Sequence, residues 1–590
     1  MHRFRVWAPK AKRVRVEAAG NRHAMSETGG GWWQADVAEA GPGTDYAYFL
    51  DDDELALPDP RSLWQPEGVH GRSRVLDPGA FAWNDAGWQA PPLQSAIIYE
   101  LHVGTFTPEG TLDAAREKLD ALRELGVTHV ELMPVNSFAG RQGWGYDGVD
   151  LFAVHEPYGG PDSGPAALAR FVDACHAKGL AVLLDVVYNH FGPSGNYVGK
   201  FGPYFTSAHH TPWGDAVNLE DAGSHEVRRF FCDNAKMWLR DYHIDGLRLD
   251  AVHAYMDRSA IHFMEQIAAE VHALEAETGR DLVVIAESDL NDPRLVTAPE
   301  AGGYGMDAQW SDDFHHALFT VLTGERGGYY RDFGTLADLA KALREVFVYD
   351  GRYSPYRDRM HGRPVQGLPG WRFLGYSQNH DQVGNRAQGE RLEHLAGLGR
   401  AKIAAALELT APFVPMIFQG EEWAATAPFQ YFTDHDAELG RLVSEGRKQE
   451  FAAFGWDPAE VPDPQARATW DRSKLNWAER TQGEHAEMLE WYRRLIALRR
   501  ATPALLDGDL RAVNVRFNEA ERWLAMERGE VTVAFSLAEK PVTLEARDGS
   551  KLALASDAGV SLREGKLTLP PDAVAVVTRA VSDQDDSAYK

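Results

Sequence analysis

Two cysteines in 590 residues, Cys175 and Cys232, leave no material for a disulfide framework or a paired-cysteine metal site. Both sit in apolar, helix-like patterns and read as core filler. Basic residues are also scarce, 60 Lys and Arg against 87 Asp and Glu, for a net charge of -27. The surplus is spread along the chain, which fits an acidic solvated surface and excludes nucleic acid as a natural partner. Nowhere do 18 apolar residues run together, and Met1-His-Arg-Phe-Arg-Val-Trp-Ala-Pro9 lacks the apolar stretch of a signal peptide. The expectation is a cytoplasmic protein without membrane contact. There is no internal repeat, and Gly and Pro are scattered without a period, as in ordinary globular protein.

What is present is length and aromatic residues. A chain of this size exceeds what one core can bury, since single cores stop growing at about 250–300 residues. Seventeen Trp and twenty Tyr offer flat faces on which sugar rings stack, although most such residues in a large protein are structural.

Residues 1–92 alternate in short runs (Phe4–Val6, Val14–Glu17, Trp32–Val37, Tyr46–Leu50) separated by Gly-rich turns, the pattern of a small β-sandwich. From residue 93 the rhythm changes. Eight buried-type strands are expected at Ala96–Val103, His129–Pro134, Ala181–Tyr188, Gly246–Ala251, Leu282–Glu287, Asp307–Trp310, Phe373–Asn379 and Phe413–Gln419. Amphipathic helices intervene at Leu112–Leu125, Ala166–Lys178, Val227–Tyr242, Ile261–Thr278 and Leu392–Leu409. Repeated βα order gives a closed barrel or an open sheet, and eight strands favour the α/β class with a (β/α)8 TIM barrel over residues 93–503. A helix at Glu484–Arg500 closes it. Residues 504–580 return to strands (Leu510–Asn514, Trp523–Glu527, Val531–Leu537, Val542–Leu544, Ala573–Thr578), predicting a C-terminal all-β domain, and 581–590 read as a flexible tail.

Barrel enzymes carry their chemistry where strands end. Here Asp-Val-Val-Tyr-Asn-His, Arg-Leu-Asp-Ala-Val-His, Glu-Ser-Asp, Asp-Asp-Phe-His-His and Asn-His-Asp-Gln each follow an apolar run. Retaining cleavage of a glycosidic bond needs one carboxylate to attack the anomeric carbon and another carboxyl to protonate the leaving oxygen, about 5–5.5 Å apart. Asp250 and Glu287 end successive strands and could meet in one cleft. Asp381 follows a later strand and could steady the developing oxocarbenium charge. Arg248 lies two residues before Asp250, hence on the same strand face, where a guanidinium keeps a nucleophile ionised. Glu287 must start protonated, so its surroundings should raise its pKa. Any one of these acids alone is more often a salt-bridged or exposed carboxylate. Their joint placement at strand ends is what a packing explanation does not supply.

Four motifs in order, Asp185-Val-Val-Tyr-Asn-His190, Gly246-Leu-Arg-Leu-Asp250-Ala-Val-His253, Ile285-Ala-Glu287 and Gln378-Asn-His-Asp381, resemble those of the α-amylase superfamily over about residues 95–500. The resemblance implies Asp250 as nucleophile, Glu287 as general acid/base and Asp381 as transition-state stabiliser. By the same likeness Asp185, His190, Arg248, His253, Asn379, His380 and Gln382 belong to the sugar site, and Tyr146 in Gly-Trp-Gly-Tyr-Asp to its stacking platform.

Within the superfamily, Tyr99-Glu-Leu-His-Val-Gly-Thr-Phe-Thr-Pro-Glu-Gly110, Phe191-Gly-Pro-Ser-Gly-Asn-Tyr-Val-Gly199, Trp310-Ser-Asp-Asp-Phe-His-His316 and Pro428-Phe-Gln-Tyr-Phe-Thr-Asp-His435 resemble the branch that acts on maltooligosyl trehalose. Its members cut the α-1,4 bond beside the terminal trehalose of an α-glucan. That likeness would turn Asp312, Asp313, His315 and His316 toward the glucan. A helix-capping loop is the structural alternative for these four. Val252-His253-Ala254 departs from the Lys-His of many α-amylases and puts plain amylase subsites in doubt. Asn189 resembles a calcium ligand of some amylases but has no convincing partner oxygens, so neither a metal nor another cofactor is expected. A branching glycosyltransferase, a debranching enzyme and a non-catalytic glucan-binding protein are the alternatives, because fold alone does not fix activity. The chain could act as a monomer or a homodimer.

Overall fold

The computed structural model describes residues 1–160, 164–453, 457 and 460–579. The tail expected at 581–590 lies outside the described residues.

Eight short parallel strands close into a barrel: Ile98–Leu101 (β1), His129–Leu132 (β2), Ala181–Val186 (β3), Gly246–Leu249 (β4), Val283–Ala286 (β5), Ala308–Trp310 (β6), Phe373–Gly375 (β7) and Val414–Phe418 (β8). They neighbour one another in sequence order, with β8 pairing β1 to close the ring. Alternate side chains point inward. Ile98, Leu183, Ile285, Ala308, Leu374, Val414 and Met416 form one packed interior cluster that plugs the barrel. Because that plug is apolar, the polar residues one pleat further along each strand collect at the carboxyl end.

The expected helices are present with small shifts. Leu112–Leu125 is two helices, Leu112–Arg116 and Leu119–Leu125, with the first ending where the Glu117 N–H turns back to Ala114 and Ala115. Leu392–Thr410 carries a non-helical residue at Gly397 (φ +81°, ψ 166°), a conformation glycine tolerates without penalty.

The N-terminal module is a sandwich of a three-stranded and a four-stranded sheet, and residues 513–579 form sheets of five and three strands. Leu510–Ala512, expected as strand, is instead a 3-10 turn whose Arg511 N–H is capped by the Asp509 carboxylate, and the strand runs Val513–Asn518. The cap captures the local backbone that alternation alone would have extended.

Aromatic contacts in two places, among others, tie the N-terminal module to the barrel. Trp88 stacks on His176 and donates to Asp245, while Trp83 stacks on His243, so the linker grips the base. Trp7 and Tyr48 pack edge-on against Tyr204 and Phe201, on the loop that follows β3. Among the described residues no helix is long and apolar enough to cross a membrane. Both cysteines are free and buried.

Candidate active site

Arg248 on β4 is the hub. Its side chain is fully buried, and its guanidinium faces three carboxylates. Nη1 donates to both oxygens of Asp185 (2.9 and 2.8 Å) and to Oδ1 of Asp250 (2.7 Å), and Nη2 lies 3.7 Å from Oε2 of Glu287. Asp185 and Arg248 are direct cross-strand partners, and Arg248 and Asp250 are separated by one pleat, so register alone assembles the group. The Trp310 ring covers the guanidinium at 4.3 Å.

Asp250 and Glu287 thus converge on one cation from neighbouring strands. A backbone bond joins them further: the Ala251 N–H donates to Glu287 Oε2 at 2.6 Å. Ala251 holds φ +40°, a left-handed conformation that costs a non-glycine residue energy and here aims that N–H at the neighbouring acid. Both carboxylates stay open to solvent at their tips, with side chains 12% and 16% exposed, so the pair faces a cleft. Burial raises the Glu287 pKa well above its ordinary value. Arg248 pulls it back, and the charges of Asp250, Asp312 and Asp381 push it up again. Burial and the neighbouring acids thus favour the protonated form of Glu287, the direction a general acid needs.

Asp381 follows β7 and is 46% exposed at the side chain. It starts a short helix whose N-cap is Asn379, the side-chain oxygen of which accepts from the N–H groups of Asp381 and Gln382. Asn379 is therefore a cap that sets Asp381. His380 lies beneath, stacked on Tyr146, with Nε2 2.8 Å from the Tyr146 hydroxyl and 3.6 Å from Asp381. Tyr146 donates to Asp185 at 2.6 Å. Burial raises Asp185 to about 6 despite its bonds to Arg248.

His190 stacks on Trp213 (centroids 4.5 Å, 7° between planes), and the pair lines a cavity of about 490 Å3 with Asp147, Phe191 and Phe205. Burial lowers the His190 pKa. A second cavity, about 300 Å3, is lined by Tyr329, Tyr330, Arg386 and Asn385. Asn385 also donates to Asp381 at 3.2 Å, which places this cavity on the other flank of the carboxylates. His253 follows Asp250 in a 3-10 turn, half-buried, with Nδ1 lacking a protein partner among the described residues.

The four residues of the loop after β6 divide. Asp312 joins the cluster: Tyr376 and Gln382 donate to its Oδ1 at 2.7 and 3.3 Å, and burial raises its pKa to about 6. Asp313 turns inward, accepting from the N–H groups of Val348 and Tyr349 and from Asn291. His315 is enclosed between the Ser377 carbonyl and the Tyr330 hydroxyl. His316 packs among the rings of Tyr329, Tyr330 and Phe333. Asp313 and His315, expected to face a glucan, have their polar atoms occupied inside the protein. All four fall in the first turn and a half of one helix, Asp312–Thr323, where residues three and four apart are neighbours, so it is the packing around the helix and not the spacing that separates them.

Three residues of the site were not singled out from sequence. Trp310 and Glu100 lie within the quoted segments, and Trp213 lies on a hairpin, Phe205–Val217, that alternation did not reveal. For Glu100 the signal was an acid inside the apolar run Ile98-Tyr-Glu-Leu101.

Two acids set on one buried guanidinium at the open end of a (β/α)8 barrel define a glycoside hydrolase of the α-amylase superfamily. Residues 76–208 match the family model for the alpha amylase catalytic domain, and residues 508–576 match a domain of unknown function, DUF3459. The chain is 52% identical over 584 residues to the malto-oligosyltrehalose trehalohydrolase of Rhizobium sp. (strain M-11), spanning 98% of this chain and 97% of that one. It is equally 52% identical over 547 residues to the enzyme of that name from Mycobacterium tuberculosis (strain H37Rv), spanning 92% and 93%. The chain belongs to the malto-oligosyltrehalose trehalohydrolase family. In three dimensions it superposes on an α-amylase-type crystal structure from Salmonella typhimurium with a TM-score of 0.89 at 38% identity, spanning 98% of this chain and 97% of that one.

Proposed function

We propose that the protein hydrolyses the α-1,4-glucosidic bond beside the terminal trehalose of maltooligosyl trehalose, releasing trehalose. Near-full-length identity to relatives that bear this activity in their names supports the substrate. The observation that carries the chemistry is the shared guanidinium, with Asp250 at 2.7 Å and Glu287 at 3.7 Å. In this reading Glu287 gives its proton to the glycosidic oxygen while Asp250 attacks the anomeric carbon, forming a β-glycosyl ester. Glu287, now a carboxylate, then takes a proton from water as that water displaces Asp250 and restores the α configuration. Asp381 receives the sugar hydroxyls as positive charge develops. Tyr146, His190, Arg248 and His380 border the sugar at the bond being cut, and Asp312 and Gln382 extend the polar lining. The two free, buried thiols support a cytoplasmic setting.

Incubation of the purified protein with maltooligosyl trehalose and with plain maltooligosaccharide tests the reading. Trehalose accumulating from the first substrate, with much slower turnover of the second, is the expected result. Equal turnover of both would remove the specificity, and new α-1,6 linkages would make it a branching transferase.

A further inference from the structure

Glu100, on β1, lies on the floor of the active site and belongs to none of the roles assigned above. Its side chain is 1% exposed, and both oxygens are spent on one residue. Oε1 lies 2.5 Å from Nδ1 of His380, and Oε2 accepts the His380 backbone N–H at 3.1 Å. The clamp fixes the ring and the main chain of His380 together, immediately before Asp381.

Hydrogen-bond counting then determines the state of the ring. The single Tyr146 hydroxyl proton goes to Asp185, an acceptor within 2.6 Å, so at 2.8 Å from His380 Nε2 the Tyr146 oxygen can only accept. Nε2 must carry a proton. Nδ1 faces a carboxylate that also receives a backbone N–H, and it too must donate. We propose that Glu100 is a positioning residue that clamps His380 and presents it to the sugar as a doubly protonated, cationic donor. A cation 3.6 Å from Asp381 and one hydroxyl away from Asp185 faces both acids with positive charge while the ring donates to substrate.

The surroundings agree. Burial acts against a charged ring, yet Glu100 and Asp381 outweigh it and hold the His380 pKa at about 9, with Arg248 opposing them. Of the other titratable neighbours, His102 is driven down to about 3 by burial, and Tyr146 is raised by it. Glu131 is the informative contrast. It is the cross-strand partner of Glu100 on β2, equally buried, with neither oxygen bonded among the described residues. Burial raises its pKa well above the ordinary range, with Glu100 and Asp185 adding to the rise. Burial thus disfavours charge on Glu131, and Glu100 is the acid of this strand pair that bonds His380.

This inference rests on the reading of His380 as a sugar-site residue, but the titration that decides it needs no substrate. Histidine-labelled protein is titrated by NMR, with the His380 signal assigned by its absence in His380→Asn. In the wild type the ring should stay cationic through pH 8. In Glu100→Gln it should titrate at least one unit lower, kcat at pH 8 should fall at least tenfold, and Glu100→Asp should restore part of both. Glu131→Gln, an equal disturbance of packing, should leave the His380 titration in place. A ring already neutral at pH 7 in the wild type overturns the proposal, even if Glu100→Gln does not fold, and so does a Glu100→Gln titration matching the wild type. A wild type that releases no trehalose would defeat the proposed function and leave this titration to stand or fall separately.

Discussion

Arg248 and Arg499 are both buried, and they are solvated by opposite means. Arg248 is surrounded by carboxylates. Arg499 meets only carbonyls, those of Leu409 and Ala411 at Nη1 and Phe413 at Nη2, and Arg528 beside it bonds the carbonyls of Thr410, Ala411, Leu505 and Asp507. The carbonyls of Leu409, Thr410 and Ala411 end the helix Leu392–Thr410, where the helix dipole is negative. The second pair therefore caps a helix and bolts the C-terminal sheets to the barrel. The first has its charge matched by carboxylates beside a cleft, whereas burial among carbonyls pushes Arg499 down to about 9 and Arg528 down to about 10. One residue type serves chemistry or cohesion according to whether its neighbours can lose their charge.

Breaking the carboxylate side has the largest expected effect. Asp250→Ala and Glu287→Gln should each lower kcat by about 10^4-fold or more, about 5 kcal/mol of barrel-end chemistry, while the melting temperature moves by a few degrees at most. Retention of both activity and fold in Asp250→Ala would refute the nucleophile assignment. Next is a matched pair of conservative changes. Arg248→Lys loses the forked contact and should lower kcat/KM by about 10^2-fold. Arg499→Lys should leave the kcat/KM of the folded enzyme within about twofold but shorten its thermal inactivation half-life, from a loss of about 1–3 kcal/mol in buried hydrogen bonding. If the two variants failed in the same assay, the contrast drawn here would collapse.

A subtler change concerns pH. In the proposed mechanism Glu287 acts while protonated, so activity should decline as pH rises through its elevated pKa. Asp312 contributes negative charge to that elevation. Asp312→Asn should therefore move the alkaline limb of kcat/KM to lower pH, by less than about one unit. A limb that stays put or moves upward would take Asp312 out of the electrostatic cluster. The smallest effect is expected at the joint's surface. Asp509→Ala removes the cap on Arg511 and should cost about 0.5–1 kcal/mol in denaturant, with rates unchanged.

Legibility followed burial. The barrel strands could be found because they are buried runs, broken only at the half-buried Val283 of β5, and β3 begins at Ala181 as periodicity placed it. The acids could be found because β4 and β5 end beside them. By contrast, Gly148–Val154 is equally buried but pairs only with Asn136–Phe138 across two register shifts, and nothing in its spacing distinguishes it from loop. Among polar residues, sequence tells where a strand stops but not which way the next turn faces. Asp312 and Asp313 are adjacent, yet one lines the cleft and the other is consumed by Val348 and Tyr349. Glu100 was hidden for another reason: its partner, His380, lies 280 positions away.

The left-handed conformation of Ala251 bears on how this site can vary. Since the link from Ala251 to Glu287 is made by main chain, exchanging one side chain for another at 251 leaves the donor in place, and only proline, which has no N–H, deletes it outright. Glu287 is thus anchored by an atom that nearly every sequence retains. Drift at position 251 is limited instead by the twist of the backbone, which glycine and asparagine accept most readily and β-branched residues least.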